Sequence, residues 1–210
     1  MMMGVSDIAA LFTRADGQYL FARWGRPIVP VVFGVSDDTL AVLKGAIEAV
    51  VVLAGHKMAE VDTELGANLM MFFCADWAEL QGVPGLDRLV PELPDLVARL
   101  IAADANQYRI FRFDPAGAIR ACFCFIRLDA HMAAVPVETV ALSQAVQMIV
   151  LWSDTAFLGA SPLEVQDGVA MLKRDVGAVI RAGYDKVLPE MSRDPSHGLR
   201  LAARVGHLNG

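Results

Sequence analysis

The sequence predicts an α+β fold in which a mixed, mostly antiparallel sheet packs against long helices. Three observations carry that expectation. Residues 67–76, "ANLMMFFCAD", form a short and continuously apolar run, the pattern of a strand covered on both faces. Asp114-Pro115-Ala116-Gly117 stands between two runs rich in aromatic and β-branched residues, which marks a hairpin. Residues 138–152 contain neither Gly nor Pro and suffice for about four helical turns.

The remaining elements follow in order. Residues 21–24 and 28–33 read as strands, with Pro27 and Pro30 pointing to an edge or an irregular entry. Ser36 is placed to cap a helix carrying Asp37 and Asp38 in its first turn, where negative charge meets the positive end of the helix dipole. Apolar residues fill most of that helix's circumference, which predicts burial on most faces; Gly55 stops it. The stretch "LQGVPGLDRLVPELP" reads as a long surface loop lying where a lid could lie, and residues 95–103 as a short helix. "SPLE" at 161–164 has the form of a capping box, so a helix is expected there. A further helix is expected over about 169–183, with Met171 and Leu172 on its apolar face. The expected organisation is one domain over 1–210, with a core at about 18–190 and a polar C-terminal tail at 191–210.

Composition narrows the function. A hydrophobic fraction of 55% permits a large core and leaves apolar surface for a partner, so a homodimer is expected. The 18 basic and 24 acidic residues give a net charge of -6, and no cluster of Lys and Arg forms a basic stripe. Nucleic acid is therefore not expected as a partner. The longest apolar run falls well short of the roughly 20 residues a membrane span needs, and no targeting segment is recognised. A cytoplasmic, reduced protein is the expectation. Cys74, Cys122 and Cys124 are odd in number and lack metal-ligand spacing, so buried core residues are expected.

Within the long helix, Ser143, Gln144 and Gln147 interrupt an apolar run. Their spacing is that of the zinc-protease helix H-E-x-x-H, yet none is a good zinc ligand or a base at neutral pH. They form either the wet edge of a packed helix or the polar floor of a ligand cleft. His131, with Asp129 nearby, is a second candidate at a strand exit. Arg23, Arg26, Arg109, Arg112, Arg120 and Arg127 punctuate the predicted strands, and pairing with carboxylates is favoured over a shared anion site.

Three segments resemble an uncharacterised bacterial family with a zincin-like layout: "RWGRPIVPVVFG", "GHKMAEVDTELGANLMMFF", and the stretch from the long helix to "LKRDVGAVIRAGYDKVLPEM". In the long helix Gln147, Leu151 and Asp154 match the family pattern, whereas Ser143 and Gln144 stand where it has two acidic residues. The resemblance implies a zincin-like sheet and helix without an intact zinc motif. Taken together, the expected function is a noncatalytic domain that binds a small molecule or a protein through Ser143, Gln144, Gln147, His131 and Asp129. No catalytic residue, metal or cofactor is predicted. The rivals are a hydrolase built around Asp129, His131 and the polar helix face, and a structural or regulatory subunit of an oligomer.

Overall fold

The computed structural model describes residues 3–209; Met1, Met2 and Gly210 of the expected span lie outside the described residues. The chain opens with α1 (Val5–Ala10), β1 (Phe21–Ala22), β2 (Pro30–Phe33), α2 (Asp37–Leu53) and β3 (Leu69–Cys74). A 3-10 turn (Trp77–Gly82) leads to α3 (Leu86–Leu89), α4 (Leu93–Ala102), β4 (Gln107–Phe113) and β5 (Ile119–Arg127). Then come α5 (Ala130–Ala133), α6 (Val137–Ile149), β6 (Leu163–Gln166), β7 (Val169–Leu172), α7 (Arg174–Gly183), β8 (Met191–Ser192) and α8 (Ser196–Asn209). The fold is α+β. No helix among the described residues is long and apolar enough to cross a membrane.

The central sheet has the order β2-β3-β5-β4. β2, β3 and β5 run parallel and β4 returns antiparallel, while β1 with β8 and β6 with β7 form two further antiparallel pairs. Antiparallel ladders thus outnumber parallel ones among the described residues, and the central sheet is mixed. Alternation along the strands supplies two apolar faces. Leu69, Met71, Cys122, Cys124 and Ile126 join the core formed with α2 and α6. Phe72, Cys74, Phe123 and Phe125 face a second cluster containing Trp77, Leu86, Leu93, Leu96 and Leu100. The proline-rich stretch expected as a loop therefore folds into this second layer, because Leu80, Leu86 and Val90 are buried within it.

Ser36 caps α2 as expected, its Oγ accepting from the Thr39 amide. Leu43, Ile47, Val50 and Val51 make the buried stripe, each worth roughly 1.5–3 kcal/mol of apolar burial. The opposite face, with Lys44, Glu48, Ala49 and Val52, is exposed, so α2 is a surface helix and not one buried on most faces. Gly34 lets β2 turn into it: φ is +81° there, and a Cβ would collide with the Phe73 carbonyl oxygen.

Helix α6 ends at Ile149, three residues before the expected limit. Side-chain donors take its last carbonyls. Trp152 Nε1 donates to Val146, Trp24 Nε1 to Met148 and Tyr184 Oη to Ile149, at 2.8, 2.9 and 2.7 Å. Val150 is then extended, and the Leu151 amide bonds to the Ala22 carbonyl.

Two further expectations are corrected. The "SPLE" segment starts no helix, because Ser161 Oγ accepts from the Leu163 amide two residues on, closing a turn that leads into β6. Asp167 and Gly168, with φ of +50° and +81°, make the reversal into β7. Residues 169–172 are thus strand, and α7 begins only at Arg174. The stretch read as a polar tail forms β8 and α8, with His197, Leu201 and Val205 buried beside Ile8, Tyr19 and Phe21.

Candidate functional site: an amide-floored cleft

The polar residues of α6 do not share one environment. Gln144 is 1% exposed, which settles its reading against a solvent-facing edge. It points at β4, where Gln107 and Arg109, two apart on a strand, face the same side. Arg109 Nη2 donates to Gln144 Oε1 at 2.7 Å and to Gln107 Oε1 at 2.8 Å. Gln144 Nε2 also donates to Gln107 Oε1, at 3.1 Å. A buried amide left unpaired costs about 1–3 kcal/mol, and this triangle avoids that cost while fixing which end of Gln144 points where.

Beneath Arg109 lie Cys124, its partner in register, and Cys122, with their Sγ atoms 3.6 Å apart. Both are free and buried, and burial pushes the Cys122 thiol up.

Ser143, Gln144 and His131 line one cleft of about 450 Å³. Gln107, Asn106 and Thr139 add polar atoms, Met132, Val135 and Val140 supply the apolar wall, and the β6–β7 hairpin closes the far side with Leu163, Glu164 and Val165. Such a volume falls within the range of small-molecule pockets. Ser143 Oγ accepts from Gln147 Nε2 at 2.9 Å, one turn along the helix, which leaves its own proton for a ligand.

Gln147 and Asp129 do not line this cleft. Gln147 props Ser143. Asp129 is the N-cap of α5: its Oδ1 accepts from the Met132 amide at 2.7 Å, and Arg127 lies 3.4 Å from Oδ2. The Met132 amide, helped by Arg127, holds its carboxyl below its usual value against the opposing effect of desolvation. A cap residue already engaged in this way is poorly placed to orient His131, which makes no hydrogen bond to Asp129 or Ser143. Among the described residues no group of three or more His, Cys, Asp or Glu side chains is placed to hold a metal ion.

The other singled-out residues have structural partners. Arg26 pairs with Asp62 and Glu64, Arg120 with Glu64, Arg112 with Glu92, and Arg127 with Asp104 and Asp129. Arg23 lies 4.0 Å from Glu190 and over the Tyr184 ring. His56 Nε2 donates to the Arg26 carbonyl at 2.8 Å, and burial lowers its pKa. Asp185 Oδ1 accepts from the Val187 amide and its Oδ2 meets Arg204.

The sequence reading missed Gln107, Arg109 as a positioning group, and the whole hairpin wall. One signal was present: Asp167-Gly168 between apolar residues is a strong short-range hairpin mark. Compared with known proteins, the chain matches no family model, and no curated protein or solved structure matches it significantly.

Proposed function

We propose that the chain is a noncatalytic binding domain whose cleft takes a small, uncharged polar ligand. The observation that supports this reading most is the preset floor. Arg109 holds the Gln144 amide in one orientation beside the Ser143 hydroxyl before any ligand arrives, so ordering costs at that point are already met. Uncharged hydroxyl or amide groups suit such a floor, because Arg109 directs its Nη2 to the two glutamines and not into the cleft. The frame in which the resemblance would place a zinc motif carries Ser143, Gln144 and Gln147, which agrees with a binding role.

The test is an amide NMR titration of the isotope-labelled protein with a set of uncharged fragments bearing hydroxyl and amide groups. Shifts should cluster at Gln107, Ser143, Gln144 and Ala170, and Ser143→Val should weaken binding about tenfold without moving the urea midpoint. Absence of any saturable shift overturns the reading. So does hydrolysis of ester or peptide substrates that disappears in His131→Ala, which would establish the hydrolase rival.

A further inference from the structure

On the other side of β7 lies a second concavity of about 590 Å³, bounded by α2, α6, β7 and α7. Its body is apolar: Leu53, Leu142 and Leu172 form the walls, and Gly177 and Ala178 make a low floor. Gly177 opens the space, since a Cβ there would only touch Leu172 and Leu53, at 3.4 and 3.6 Å. Arg174, Ala178 and Arg181 fall on one face of α7 at helical spacing, so a cation stands on each side of that floor. Lys173 adds a third.

Charge decides what fits. The chain carries a net charge of -6, yet this groove is lined by three cations and by no carboxylate. Arg26, Arg112, Arg120 and Arg127 all pair with acidic side chains; Lys173, Arg174 and Arg181 have no such partner within 4.0 Å among the described residues. Guanidinium groups recognise anionic oxygens through paired hydrogen bonds. An apolar trough ending in unpaired cations complements a molecule with an aliphatic body and an anionic head. The groove is concave and of single-ligand size.

We propose that this groove binds one free single-chain amphiphile with an anionic head, its chain laid across Gly177 between Leu53 and Leu172 and its head held by Arg174 or Arg181. The site is distinct from the amide-floored cleft, although Ala170 borders both.

Isothermal titration with decanoate below its micelle concentration tests the proposal, with decanol as the uncharged control. Decanoate should bind the wild-type protein one to one. The Arg174→Gln/Arg181→Gln pair should weaken decanoate about tenfold and decanol less than twofold. Gly177→Leu should abolish binding of both, while Gly177→Ala, which meets only ordinary contacts, should fold and retain most of the affinity. Ser143→Val should leave decanoate affinity unchanged, which separates this site from the cleft. Absence of saturable decanoate binding overturns the proposal, as does equal affinity of the arginine variant. Uptake by phosphatidylglycerol vesicles with none of free decanoate overturns it too, since the surface would then be reading a lipid bilayer. If Gly177→Leu fails to fold, the arginine variant alone decides.

Discussion

His197 is fully buried against Phe21, with Nδ1 2.7 Å from Tyr19 Oη. Burial, reinforced by the Arg200 charge, lowers its pKa to about 4. An unfolded imidazole titrates near ~6.5, so below that pH the unfolded chain takes up a proton the folded one refuses. Stability is therefore full above about 6.5 and falls until about 4. Asp62 adds a lower window. Burial raises its carboxyl, but the Leu65 and Glu64 amides, Asn68 and Arg26 outweigh that and hold it at about 2. Its contribution is present above the unfolded value of ~3.9 and is lost as pH falls towards 2. Urea midpoints should decline in both windows. His197→Leu should make the upper decline shallower, leaving the share that the buried His56 contributes, and lower stability by about 1–3 kcal/mol, since Tyr19 Oη loses its partner. An unchanged slope between pH 6.5 and 4 in that variant would assign the effect to other groups. Residues differ in how legible this was. Cys122 and Cys124 share a buried face because strand alternation requires it. Nothing local to "DPSHGLRL" shows that its histidine lies under two aromatic rings from the other end of the chain.

Local signals competed at the level of elements, and the hairpin shows which one prevailed. "SPLE" satisfies a capping-box pattern, but four residues cannot show whether the chain beyond them continues as helix. Asp167-Gly168 answers that, because both residues adopt positive φ and only a tight reversal uses two in succession. Burial then alternates along β7, Ala170 and Leu172 half-buried and Val169 and Met171 exposed, with Leu163 opposite Leu172 in register. Gly168→Ala should cost about 1–2 kcal/mol locally through the left-handed backbone. Amide exchange should speed up in β6 and β7 and stay unchanged in β3 and β5, which pair with each other in the central sheet. Ligand affinity should fall at the amide-floored cleft, whose far wall is the hairpin. Exchange that rises equally throughout the central sheet would show that the hairpin does not open separately. By contrast β4, β5 and α4 were legible, since turn residues and periodicity agreed there.

At the scale of the molecule, the largest departure from the sequence reading is the joining of the two termini. Residues near the start and end look polar or irregular one at a time, and their burial exists only once the chain has closed on itself. Ile8, Phe12, Tyr19 and Phe21 meet Leu201 and Val205 of α8, and β1 pairs with β8. This core touches the binding machinery through a short path. Phe12 stacks on Trp152 at 5.3 Å, and Trp152 donates to the Val146 carbonyl of the helix that carries Ser143 and Gln144. Removing residues 196–210 strips His197 from Phe21 and uncovers Ile8 and Tyr19. The shortened chain should lose most of its cooperative urea transition or show a clearly smaller dependence on denaturant, because that slope scales with the surface exposed on unfolding. It should also lose fragment binding at Ser143, although no deleted residue lines that cleft. If the transition and the fragment affinity both survive truncation, α8 is a cover that the α6 site does not need, and the path from Phe12 through Trp152 carries no coupling.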